Sequence, residues 1–176
     1  ILPVQRDHLR VYSTGIMLHA NADRDQILTT LAPLCQGIDR DILQDFVTRM
    51  DPDYFSAFPP KTLAAHVKQA ATLTPDHPCD VAIAETAGGH FVITIVAYDY
   101  FSELATICGL LSAFGLNIEE GRIFTSAESE QPSRSRSADP YPIRTRPQGR
   151  PGLTRKKIVD VFTVSPIEGQ TFAAAN

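Results

Sequence analysis

What this sequence lacks narrows it first. Its 176 residues show no obvious nucleophile beside a base, no acid and base pair and no cluster of metal ligands, so the stretch alone is expected to have no catalytic residue, metal or cofactor. No apolar run is long enough to cross a bilayer. The N-terminus has no basic segment followed by an apolar run, so no signal peptide is visible. Cys35, Cys79 and Cys108 are far apart and odd in number, which argues against a disulfide framework or a zinc site and fits a reducing cytoplasm. Cys108 reads most simply as a small core residue. Beginning at Ile1 rather than Met, the chain reads as a fragment or a processed product. The net charge of −4 conceals an uneven distribution, since eight of the sixteen Lys and Arg fall between Arg134 and Lys157.

What is present centres on residues 90–125. Phe91 to Tyr98 is a continuous apolar and β-branched run of strand length, and Leu104, Ile107, Cys108, Leu111 and Phe114 fall on one face of a helix. Gly115 stops that helix, and Leu116, Asn117 and Ile118 begin a second strand at once. The unit reads as strand, helix, strand.

Upstream, residues 9–18 could form a strand pair turning near Ser13 to Gly15. Ile27, Leu28, Leu31, Leu34 and Cys35 make a helical face, with Asn21 or Asp23 as its N-cap and Gly37 closing it. Asp39 caps a second helix whose buried face is Ile42, Leu43, Phe46, Val47 and Met50. The stretch DPDYFSAFPP interrupts this pattern, because residues before proline avoid the helical region and Pro52, Pro59 and Pro60 each favour starting something new. A third helix is expected over Pro60 to Leu73, with Leu63, Val67, Ala70 and Ala71 inward and His66 beside them on the surface. Thr74 to Cys79 has linker composition and marks the expected boundary between a helical connector (1–74) and a second domain (75–165).

In that second domain Asp80 to Thr86 alternates as a strand, and Ala87 to Gly89 turn it into the central strand as a hairpin. Residues 126–154, rich in Ser, Pro, Arg and Gly, bury too little apolar surface to offset their ordering entropy and read as a mobile loop. Lys156 to Val164 returns to strand composition, with the strand from Leu116 to Thr125 as its natural partner. Residues 166–176 are a tail without a pattern.

The expected class is therefore α+β: a helical connector followed by βαββ, the first part of a ferredoxin-like βαββαβ unit. Truncated there, the sheet would keep an exposed helix-side face and an open edge that the strand near Val81 to Ala84 partly covers. The residues VAYDYFSELATICGLLSAFGLNIEEGRIFT and KIVDVFTV resemble an ACT domain, a small regulatory module attached to enzymes of amino-acid metabolism. FVTRMDPDYFSAFPPKTLAAHVKQA resembles the helical connector that precedes ACT domains in protein-PII uridylyltransferases. Glutamine-synthetase adenylyltransferases are related in role. The resemblance implies an allosteric, amino-acid-sensing segment of a cytoplasmic nitrogen-metabolism nucleotidyltransferase. Its effector would be a small amino acid, glutamine by family implication, and its partners the attached catalytic domains and a second ACT module.

In the family's signature Asp-Arg-Pro-Gly-Leu the glycine lets a ligand approach the helix N-terminus. Here those positions hold Asp99, Tyr100, Phe101, Ser102 and Glu103. Asp99, Phe101, Ser102 and Asn117 are the candidate ligand-binding residues. Free N–H groups and the helix dipole at that end suit a carboxylate. The simpler role for Asp99 and Ser102 is N-capping, and for Asn117 a turn after Gly115. Glu119 and Glu120, adjacent in a strand, point to opposite faces and make no catalytic pair. His66, His77 and His90 lack metal-ligand spacing and read as helix surface, linker and strand entry. Tyr54, Phe55 and Phe58 are expected to join connector to domain.

Two other classes compete: a protein-interaction module that has lost its ligand and pairs through its sheet, and RNA binding through the Arg-rich loop. RNA readers of βαββ type need aromatic residues on exposed strand faces, and Ile158 to Val164 offers only Phe162, so RNA binding is the least favoured.

Overall fold

A computed structural model of the chain describes residues 23–100, 102–128 and 155–167. The strand pair expected at 9–18, Phe101, the Arg-rich residues 129–154 and the tail from 168 lie outside the described residues.

The helical half follows its caps. Helix α1 (Arg24–Leu31) runs into a 3-10 turn at Ala32–Leu34, and Gly37, at φ +85°, redirects the chain. Asp39 accepts the N–H of Asp41 at 3.0 Å and starts α2 (Arg40–Arg49). The proline-rich interruption is itself helical, contrary to the expectation from sequence. Asp51 accepts the N–H of Asp53 at 2.8 Å, and Pro52 opens the short α3 (Pro52–Ala57). Proline in a first turn forfeits no intrahelical bond, so it starts a helix as readily as it ends one. Pro60 opens α4 (Pro60–Thr72) in the same way.

Thr74 and His77 exchange two main-chain hydrogen bonds, and the tight turn feeds β1 (Cys79–Glu85). Strand β2 (Phe91–Tyr98) returns antiparallel to it through a turn with Gly88 and Gly89 at positive φ. Helix α5 (Glu103–Ala113) crosses to β3 (Leu116–Thr125), with Gly115 at φ +71° making the change of direction. Strand β4 (Lys157–Pro166) pairs antiparallel with both β2 and β3, as the composition of Lys156 to Val164 leads one to expect. The sheet order is β1-β2-β4-β3, and the fold is α+β.

Alternation along the strands divides the core into two layers. Ile93, Ile95, Ala97, Ile158, Phe162 and Val164 face α5, meeting Ile107 and Leu111. Val96, Tyr98, Val159 and Val161 face the other way, into the cluster built by α1 to α4. With both faces covered, β2 and β4 carry apolar residues on both sides, which is why they read as near-continuous runs, with Thr94, Asp160 and Thr163 as interruptions. The helical cluster thus extends across residue 74. Tyr98 spans it too, its hydroxyl donating to Leu73 O at 3.1 Å.

Tyr54 and Phe58 pack on Phe124 of β3 at ring separations of 5.2 and 5.8 Å, so the aromatic residues do join helices to sheet. His66 belongs to the same group. It is 2% exposed and its Nδ1 lies 2.8 Å from the Tyr54 hydroxyl, so its expected place on the helix surface is corrected to the core. A polar ring can be buried there because the phenol satisfies it.

On the other face α5 is the one helix among the described residues to meet the sheet, and Val81 of β1 and Ile123 of β3 stay exposed on either side of it. Of the apolar stripe expected on α5, Ile107 and Leu111 are buried, whereas Leu104 and Phe114 near its two ends are exposed, Phe114 by 69%.

Candidate functional site at the start of α5

The connection from β2 to α5 is held by its main chain. Asp99 is exposed, and its N–H donates to Lys156 O at 2.9 Å beside the start of β4. The Glu103 N–H donates to Tyr100 O at 3.3 Å, closing a four-residue turn whose third residue, Ser102, has φ +61° and ψ +21°. Among the described residues Ser102 is the one non-glycine with positive φ. A turn with a left-handed third residue favours proline second and glycine third.

Ser102 occupies the N-cap position, but its side chain makes no capping bond. The Glu103 Oε2 instead accepts the Tyr100 N–H at 3.2 Å, which ties the first helical residue back to the turn without capping the helix. Ser102 contributes through its carbonyl, which accepts from both N and Oγ1 of Thr106. Tyr100 is further tied through its hydroxyl, which accepts from Arg155 Nη1 at 3.3 Å, while the Arg155 guanidinium lies over the Tyr98 ring.

Beneath this turn lies a residue that the sequence reading passed over. Asp160 of β4 sits opposite Ile95 and Ile123, on the face that meets α5. It is 1% exposed, and its Oδ1 has no hydrogen-bond partner among the described residues. Burial pushes its carboxyl up to about 7, and Glu103 and then Asp99 add to the rise against an opposing Phe124 N–H. Burial likewise raises Glu103, offset in part by the Tyr100 N–H and reinforced by Asp99. Cys79 at the start of β1 is raised by burial and then by Glu103 and Asp80. One end of the α5 layer therefore concentrates negative groups. The available signal was a lone charge inside the apolar run KKIVDVFTV.

Of the candidate residues, Asp99 and Ser102 come together at this turn, and Phe101 lies outside the described residues. Asn117 does not join them. It is exposed and pairs with Ser165, eight strand positions along β4 from the Lys157 that pairs with Tyr98. At ~3.3 Å per residue this is roughly 26 Å, the far end of the sheet. Glu119 and Glu120 turn to different partners, His90 Nδ1 at 3.0 Å and Arg122 Nε at 2.7 Å, with a register shift between Ile118 and Glu120.

Among the described residues no group of three or more His, Cys, Asp or Glu is placed to hold a metal ion, and no helix is long and apolar enough to cross a membrane. The chain matches no protein-family model and no curated protein.

Proposed function

We propose that this chain is a regulatory, ACT-like amino-acid-sensing segment of a cytoplasmic nucleotidyltransferase of nitrogen metabolism, uridylylating or adenylylating PII protein or glutamine synthetase through domains attached to it. The observation that carries this reading is the turn before α5. Its third residue is left-handed, as the glycine of Asp-Arg-Pro-Gly-Leu would be, although Ser102 stands there. The strand order β2-β4-β3 with α5 across one face also accords with the βαββ part of a ferredoxin-like unit, and β1 takes the open edge beside β2.

A small amino acid such as glutamine binds at Asp99, Phe101 and Ser102, and Asn117, which lies at the far end of the same sheet, contributes from a second module. The effector acts on the attached catalytic domains by preferring one arrangement of them. Calorimetric titration of the chain with glutamine and other amino acids tests this. Saturable heat that Ser102→Val abolishes supports the sensor, and no heat up to millimolar ligand sinks it.

A second reading is favoured by the outer surface of α5. Leu110 is 53% exposed and Phe114 more so, which suits an interaction module without an effector. RNA binding through an open sheet face finds no support, because helices cover both faces of β2 and β4.

A further inference from the structure

We propose that Asp160 is a proton-operated latch for α5: protonated, it lies within the apolar layer and the first helical turn packs over it; ionised, it loosens that turn from the sheet.

The geometry is that of an uncompensated group. Asp160 lies in β4 between Ile158 and Phe162, in the layer that also holds Ile95 and Ile107, and its Oδ1 meets no donor. A buried carboxyl whose Oδ1 meets no donor, and whose charge the Phe124 N–H offsets only in part, is tolerated in such a layer when neutral and is costly when charged. Helix α5 presents Glu103, and the connection before it presents Asp99. Strand β1 brings Cys79, itself under the influence of Glu103 and Asp80. Strand β3 offers the Phe124 N–H and the side chain of Ile123. Strand β2 offers Ile95. Lys157, on Asp160's own strand, points to the opposite face and engages Asp45 at 3.5 Å. Among the described residues the charges acting on Asp160 are thus both negative, and none of these residues neutralises its anion.

The part of α5 above it is also the part least able to resist. Ser102 is left-handed and makes no side-chain cap, and Leu104 is exposed. Ile107 is the first residue of α5 to be buried. Opening the turn from Glu103 to Thr106 therefore uncovers little apolar surface, while Ile107 and Leu111 keep the rest of the helix in place. The position of the Asp160 carboxyl near 7 places the change where a small shift in pH alters the population. The latch rests on the chain's own groups and stands whether or not the turn binds an amino acid.

The test uses the ligand-free 176-residue chain. Carboxyl-carbon NMR follows Asp160 from about pH 5 to about pH 9, and amide exchange, corrected for its intrinsic pH dependence, follows Glu103–Ile107 and α4 in parallel. The expected result is a midpoint near 7, with protection of Glu103–Ile107 falling roughly tenfold across it while α4 holds. Asp160→Asn keeps that turn protected throughout, and Glu103→Gln moves the midpoint down by removing a negative neighbour. Should Asp160→Asn not fold, the Glu103→Gln shift still decides. A carboxyl that titrates below about 5, or a first turn whose protection is flat through the midpoint, overturns the proposal.

Discussion

Arg49 Nη2 donates to the carbonyl oxygen of Arg155 at 3.0 Å, and its Nε donates to Ala127 O at 2.8 Å. One side chain of α2 thereby holds the two chain ends between which residues 129–154 are inserted. The Ala127 N–H returns a bond to Arg49 O, and Ser126 and Lys157 are joined by two more, the Lys157 N–H donating to Ser126 Oγ at 2.9 Å. Asp45 contacts both Arg49 and Lys157, at 3.3 and 3.5 Å. Ser126, counted from sequence with the loop, is a buried part of this clamp.

Arg49→Ala should cost about 3–5 kcal/mol, because it leaves two carbonyls unpaired and takes from Asp45 one of its two cations in a largely buried site. Arg49→Lys should recover only part of that loss, since an ammonium lacks the planar fork that reaches both carbonyls. Urea denaturation of the two variants checks the order, and equal stability of wild type and Arg49→Lys would refute the role of the fork.

His66 makes the protein acid-sensitive. Burial lowers its pKa from the ordinary 6.5 to about 4, so the folded state binds a proton less readily than the unfolded chain. The stability it contributes is present above 6.5 and lost as pH falls towards 4, about 3 kcal/mol in all. Tyr54, whose own pKa burial raises well above the ordinary value, stays protonated and shares a hydrogen bond with Nδ1. Tyr54→Phe should cost about 1–2 kcal/mol at neutral pH. Denaturation midpoints at stepped pH, with imidazole NMR shifts, measure both effects.

Asp160 has the opposite sign. Its carboxyl is raised from the ordinary 3.8 to about 7, so its contribution is complete below about 4 and disappears as pH rises to 7. Asp160→Asn should flatten that slope and leave the protein on the order of 1–3 kcal/mol more stable than wild type above pH 7. Chemical denaturation of both proteins at acid and alkaline pH separates this slope from that of His66.

Ser102→Gly should stabilise the fold by about 0.5–1 kcal/mol, the relief of the left-handed strain exceeding the entropy that glycine adds to the unfolded chain. Ser102→Val should lose about 1–2 kcal/mol, since a β-branched residue tolerates that conformation poorly. Thermal unfolding gives the ranking. If the turn is an effector site, the glycine variant should also bind amino acids more tightly in calorimetry, because it opens the approach to the helix.

Phe114→Ser and Leu110→Ser should change monomer stability by less than about 0.5 kcal/mol, as both side chains face solvent. Sedimentation of wild type and variants tests the interaction reading. A wild type that is monomeric at every concentration removes pairing of this face with a second copy.

The local elements of this protein are written in its sequence. Periodicity and caps locate α1, α2, α4 and α5, and strand-length apolar runs with their turns locate the four strands, because these signals depend on neighbours a few residues apart. Helix α3 is not legible as a helix, because proline marks a first helical turn as well as a break. At the candidate site the departure from Asp-Arg-Pro-Gly-Leu was legible, but the left-handed backbone under Ser102 was not, since a serine does not announce it. Tertiary structure decided what depends on distant segments meeting. Packing of the helices on one sheet face buried His66 and joined Arg49 to both ends of the insertion, and packing of α5 on the other enclosed Asp160. The course of β3 carried Asn117 away from Asp99. A charge in a strand reads the same whether solvated or enclosed, and only the layer above it turns an aspartate into an uncompensated group near neutrality.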